Sequence, residues 1–179
     1  MDSIIKSGNS VNIEIINKYK DFMPKELLDI WNNYGFCTVL DGFLRMIDPD
    51  EYKDILRETY FLGKISLPIF VSVFGDIVFI QNDGFIGIVR YRYNNFNIVT
   101  SDFKHFLRYL KIDEFVIERL LPNNFHKAKE KLGLPQSDEC YGYFPLLCTG
   151  GRESVDNIKI VKTKEHIILI TQFVGAVGE

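Results

Sequence analysis

The chain is poor in cysteine, with three in 179 residues: Cys37, Cys140 and Cys148. An odd number without a C-x-x-C pair builds no disulfide framework, so all three read as free thiols in a reducing compartment. It also lacks a strong charge bias. Its 24 acidic and 21 basic side chains leave a formal charge of -3, too little to draw it nonspecifically onto nucleic acid or an anionic membrane. Long apolar runs are missing, and the longest fall far short of the roughly 20 residues of a spanning helix. The start, Met1 to Lys6, runs into polar Ser7-Gly-Asn-Ser10 with no apolar stretch or cleavage site behind it, so no secretory signal is expected. A cytoplasmic protein with no membrane partner and no direct nucleic-acid binding is the reading. Disorder is excluded by the 46% of hydrophobic residues, enough for a core of one large or two small domains.

Templates for metal and phosphate chemistry are absent too. None of His105, His126 and His166 has a histidine or cysteine three to five residues away, and seven residues separate Cys140 from Cys148, so no zinc spacing fits and no metal or other cofactor is expected. Thr149-Gly-Gly-Arg-Glu-Ser154 lacks the Gly-Lys-Ser/Thr ending of a phosphate loop. Its two glycines could hold an anion through backbone N–H groups, but a tight turn explains them without one. A cysteine nucleophile assembled at long range, Cys140 with His166 or His126, is the enzyme alternative; a buried cysteine more often acts as a small apolar group.

What is present is a succession of local signals. Ile13, Ile16 and Tyr19 mark a short amphipathic helix over 11–20. Pro24 opens a second, with Leu27, Leu28, Trp31 and Tyr34 on one face and Gly35 at its end, which makes Trp31 a core residue. Asp41-Gly42 between 36–40 and 43–47 predicts a hairpin. Asp48-Pro-Asp-Glu51 reads as N-cap, N1 proline and acidic N3 of a helix to about Tyr60, its carboxylates complementing the helix dipole rather than doing chemistry. Four β-rich runs follow: 69–74, 77–81, 85–93 and 96–100. Their separators, Gly75-Asp76, Asn82-Asp83-Gly84 and Asn94-Asn95, are too short for crossover helices, so an antiparallel meander is predicted and a doubly wound nucleotide fold is excluded. Within the third run, alternation puts Arg90 and Arg92 on one face and Tyr91 and Tyr93 on the other, the pattern of a half-buried strand rather than of a nucleic-acid reader.

Ser101 is expected to cap a helix carrying Phe103, Phe106, Leu107 and Leu110. Further helix is expected over 113–121 and 122–132, closed by Gly133, then a loop over 135–153, a final helix over 164–174 and a fraying tail from Gly175. The last helix has a rival, because Ile167 to Ile170 fits a buried strand equally well by periodicity. The fold class is α+β: N-terminal helices, a mostly antiparallel sheet of hairpin plus four-strand meander, and a helical C-terminal subdomain packed on it.

The most distinctive segment is Asp138-Glu-Cys-Tyr-Gly-Tyr-Phe-Pro145. Two carboxylates and two tyrosines around a glycine suit recognition, and equally suit tyrosines packed inward with carboxylates facing water. Together with Leu146-Leu-Cys-Thr-Gly-Gly-Arg-Glu-Ser-Val155, Asn157-Ile and Lys164-Glu-His-Ile-Ile-Leu-Ile170, this segment resembles the C-terminal domain of type VI secretion immunity proteins. The chain departs from that pattern at Cys148-Thr149, where the family more often has an aliphatic residue and Leu. Upstream, Pro24-Lys-Glu-Leu-Leu-x-x-Trp31, Tyr34-Gly35, Asp41-Gly42, Asp48-Pro-Asp-Glu-Tyr52 and Phe74-Gly-Asp76 are similar to the GAD-like domain that precedes it. The resemblance implies a GAD-like domain over 1–103, an immunity domain over 104–179, and a non-enzymatic role: binding and neutralising a cognate secreted toxin, often a nuclease, encoded by a neighbouring gene. Expected contacts are Asp138, Glu139, Tyr141, Tyr143, Arg152 and Glu153. The alternative is an enzyme or small-ligand domain centred on the Cys140 to Ser154 loop.

Overall fold

The computed structural model describes residues 5–178. Seven strands form one antiparallel sheet in strict sequence order: β1 (Ile5–Lys6), β2 (Thr38–Val39), β3 (Leu44–Met46), β4 (Ser66–Ser72), β5 (Ile77–Gln81), β6 (Ile86–Arg90) and β7 (Asn95–Thr100). The links between β2 and β3 and from β4 to β7 are short, which is why their turn residues were legible. Between β2 and β3, Asp41 and Gly42 both take positive φ, 57° and 87°, and the Phe43 amide closes on the Leu40 carbonyl at 3.0 Å. That is the mirror-image turn whose twist suits a hairpin.

Alternation along the central strands divides them between two cores. Ile77, Phe79, Val89 and Val71 face one side and meet Tyr60 and, from the helix that the Asp48 side chain caps, α3 (Pro49–Thr59), Tyr52, Ile55 and Leu56. Phe70, Val78, Ile80 and Ile88 face the other, against Leu27, Ile30 and Trp31 of α2. Here α1 is Ile13–Tyr19 and α2 Lys25–Tyr34. A sheet covered on both faces needs apolar residues at every position, and Ile77-Val-Phe-Ile80 supplies them.

The remaining elements are α4 (Phe103–Tyr109), α5 (Asp113–Arg119), α6 (Phe125–Leu132), β8 (Glu139–Tyr143), β9 (Ile158–Lys162) and α7 (Thr163–Val174). Phe103, Phe106, Leu107 and Phe125 join the α2 side of the sheet, while Ile167 and Ile170 of α7 join the α3 side. The C-terminal helices therefore complete both cores, so the α+β class and the packed helical C-terminus hold. No helix among the described residues is long and apolar enough to cross a membrane.

Four local expectations need correction, and one open alternative, at 167–170, is decided. Asp102, not Ser101, caps α4, its carboxylate accepting from the His105 amide at 2.8 Å. The third β run stops at Arg90, and Tyr91–Tyr93 turn into a 3-10 segment, so Arg92 leaves the strand face and is buried beside Asp76. The expected loop over 135–153 contains β8, which pairs with β9 from Glu139↔Lys162 to Tyr143↔Ile158. For 167–170, the helix prevails over the strand. Finally, the tail is tied down rather than frayed: Val177 is buried, its amide donating to the Thr59 carbonyl at 2.9 Å and its carbonyl accepting from the Phe61 amide at 3.1 Å.

Candidate functional site

The β8–β9 hairpin positions the residues that the sequence singled out. It is seated on the end of β4, where the Tyr141 amide donates to the Val73 carbonyl at 2.7 Å. Phe74 packs on both Tyr141 and Tyr143, with ring centroids 5.2 and 6.0 Å apart. The two tyrosines are 1% and 2% exposed. Their hydroxyls are also occupied: Tyr141 donates to the Gly133 carbonyl, and Tyr143 accepts from the Asn124 amide at 3.1 Å. As placed, they have almost no surface to give a partner, and the packing role weighed against recognition is the one they fill.

Asp138 and Glu139 lie at the opening of the hairpin. Lys162 bridges them, Nζ reaching Asp138 Oδ2 at 2.6 Å and Glu139 Oε1 at 3.4 Å. That ammonium holds the Asp138 carboxyl below its ordinary pKa, and the Asp138 carbonyl accepts the first amide of α7, Thr163 N–H, at 2.9 Å. Asp138 remains well exposed and Glu139 half-buried. Asp138 borders a cleft of about 570 Å³ between the two halves of the chain, with Asp48, Glu51 and Arg45 on one wall and Lys164 and Glu165 on the other. Arg45 was not singled out in the sequence. It is buried and donates to the carbonyls of Gln136 and Glu139, fastening the segment that carries the two carboxylates.

Arg152 and Glu153 lie past the other end of the hairpin. Four residue steps separate its ends, roughly 13 Å at strand rise, so the six expected residues do not form one patch. Glu153 accepts a hydrogen bond from Tyr93 Oη at 2.5 Å, and Arg152 is exposed. The glycine turn before them is closed on itself. The amides of Thr149, Gly150 and Gly151 donate to the carbonyls of Leu146 and Leu147 at 3.0–3.1 Å, leaving none of the three for the anion that the sequence allowed.

The cysteine alternative meets an obstacle in burial. Cys140 is fully buried, and burial pushes its thiol up to about 12, away from the thiolate that nucleophilic chemistry uses. His166 is buried as well, with its Nδ1 lacking a hydrogen-bond partner. Among the described residues, no cluster of three or more His, Cys, Asp or Glu could hold a metal ion.

Comparison with curated proteins finds no match. Among solved structures, the chain is similar to the crystal structure of Atu4351 from Agrobacterium tumefaciens, with a TM-score of 0.76, 17% identity, and coverage of 94% of this chain and 84% of that one. At that identity the likeness speaks for the fold alone. Residues 4–90 match the GAD-like domain, and residues 100–174 match T6SS immunity protein Tdi1, C-terminal. The order is the one the motifs predicted, and the second match points to an immunity function. The chain therefore combines a GAD-like domain and a Tdi1-type immunity C-terminal domain, in that order.

Proposed function

We propose that the protein neutralises a cognate secreted toxin, a nuclease in the leading version, by binding it directly in the cytoplasm of the producing cell and covering its active site. The observation that carries this reading is the match of residues 100–174 to an immunity-protein domain. The site supports it in a specific way. Buried Tyr141 and Tyr143 form a rigid frame, and that frame presents Asp138 and Glu139 at one end and Arg152 and Glu153 at the other. Rigid presentation limits the ordering cost of association. Exposed carboxylates on a chain of net charge -3 would steer it onto the basic surface by which a nuclease holds its substrate.

The test is co-purification with the product of the neighbouring gene, followed by titration of that product's toxicity or nuclease activity. A stoichiometric complex that abolishes activity is expected. Absence of both complex and protection would overturn the reading. Within it, the paired substitution Asp138→Lys/Glu139→Lys is expected to slow association, and full neutralisation by that variant would remove the two carboxylates from the contact surface.

A further inference from the structure

Among the described residues the seven-stranded sheet has two free edges, and they differ. β1 is two residues long and includes Lys6, the short charged kind of edge that resists pairing with another chain. β7 is six residues long, Asn95-Phe-Asn-Ile-Val-Thr100, with no charge and no proline, and among the described residues it pairs only with β6. Its one irregularity is a register shift at the far end, opposite Ile86 and Gly87. The ordinary defences of an edge are thus mostly missing from the longer one.

Beside β7 runs a cleft of about 480 Å³, whose opposite wall is the end of α5 and the turn after it, Ile117 to Asn123. Asn97, Ile98 and Val99 all line it. Successive side chains of a strand point to opposite faces, so three consecutive lining residues place the cleft at the strand's edge, where its unpaired backbone groups point. Apolar contact is offered by Val99, by Ile98, 43% exposed, and by Ile117, 62% exposed.

The charges in the cleft narrow the occupant. Arg90 donates to Asn97 Oδ1 at 2.7 Å and to the Arg119 carbonyl, which holds its guanidinium against the strand. Arg119 is exposed, whereas Arg92 is neutralised by Asp76. Of the two carboxylates that line it, Glu153 is engaged by Tyr93, and Glu118 is exposed, one position before Arg119. A groove between an edge strand and a helix, largely polar but with Ile98, Val99 and Ile117 as apolar contacts and flanked by Arg90 and Arg119, has the physical requirements for strand addition with a carboxylate read alongside.

We propose that this groove receives an extended segment of the toxin as an eighth strand, with an Asp or Glu side chain set against Arg90 and Arg119. The proposal rests on the toxin-binding reading and adds to it a second contact surface, continuous with Glu153 and apart from Asp138 and Glu139.

Three measurements on the full chain, with the neighbouring gene's product as the probe, separate the outcomes. Hydrogen exchange should show new protection on Asn95 to Thr100 in the complex. Ile98→Lys and Arg119→Glu, both at exposed positions, should each weaken binding at least tenfold while leaving the thermal midpoint of the free protein unchanged. A complex with wild-type affinity in both variants and no protection on β7 overturns the strand-addition proposal and leaves toxin binding standing. No complex with the wild-type chain overturns both. Sedimentation of the protein alone checks the rival occupant: a dimer dispersed by Ile98→Lys would assign the edge to a second copy of the chain and refute the toxin as its partner.

Discussion

Arg92 and Arg45 are both removed almost wholly from water, at 5% and 9% exposure, yet the regions around them manage the charge differently. Arg92 lies within the sheet half against the fully buried carboxylate of Asp76, which also accepts from Ser72 Oγ at 3.0 Å. The rings of Phe74 and Tyr93 flank its guanidinium at 5.2 and 4.6 Å. Burial alone would lower its pKa, but Asp76 more than offsets that, and the net direction is up. Arg45, at the joint with the C-terminal half, has only carbonyl oxygens as hydrogen-bond acceptors, and burial drives its pKa down. A charge with its own counter-ion can be sealed inside one layer. One balanced by carbonyl dipoles stays at a boundary, where a cleft and nearby carboxylates help, and there it can fasten two segments together.

The sharpest way to break this comparison is Arg92→Met, which leaves Asp76 buried without its counter-ion. Urea denaturation is expected to show a loss of about 3–5 kcal/mol, partly recovered in the double variant Arg92→Met/Asp76→Leu. A single variant as stable as the wild type would mean that the pair contributes nothing. Arg45→Met should cost less, about 1–3 kcal/mol for two lost charge-assisted hydrogen bonds, because the Gln136 carbonyl keeps the Glu139 amide as a donor. Its hallmark should be faster amide exchange confined to 136–143, and uniform loosening across the sheet would contradict the fastening role.

The third expectation concerns acid. Burial lowers the His166 pKa, so between the folded value and the unfolded value of about 6.5 the unfolded chain binds more protons. Stability is therefore complete above about pH 6.5 and declines as pH falls towards the lowered folded value. Urea midpoints measured from pH 7.5 to 5 should drop, and His166→Gln should flatten that slope; an unchanged slope would exclude His166 as its source. Arg92 stays protonated throughout this window, so the sheet half should not share the response. The smallest effect is expected from Lys162→Ala, whose ammonium is half exposed. The thermal midpoint should stay where it is, because pairs open to water contribute little.

Legibility in the sequence also divides between the halves. In the sheet half, each turn lies within a few residues of the strands it joins, so Asp41-Gly42, Asp48-Pro49 and Gly75-Asp76 announced the hairpin, the helix start and the meander. β8 and β9 were missed because their nearest pair, Tyr143 and Ile158, is joined by no short turn. The alternation in Ile158-Lys-Ile-Val-Lys162 was there to be read, but Gly142 inside β8 argues against a strand on propensity. It is there because His166 lies above it: a Cβ at that position would come within 2.8 Å of the ring. Likewise, no local pattern says whether Tyr141 and Tyr143 face inward. That depends on Phe74, sixty-odd positions earlier in the chain, whose ring packs on both. The burial of Arg92 depends in the same way on a strand that ends three residues sooner than its composition indicates.

The anchorage of Val177 between Thr59 and Phe61 bears on how such chains diversify. The final residues lie beyond the second family match yet dock on the first, so a recombination event that imported a foreign C-terminal domain would also need a compatible seat at the end of α3. Inheritance of the two segments is mechanically linked, and new specificity is more readily reached by changing exposed side chains in place than by exchanging whole modules.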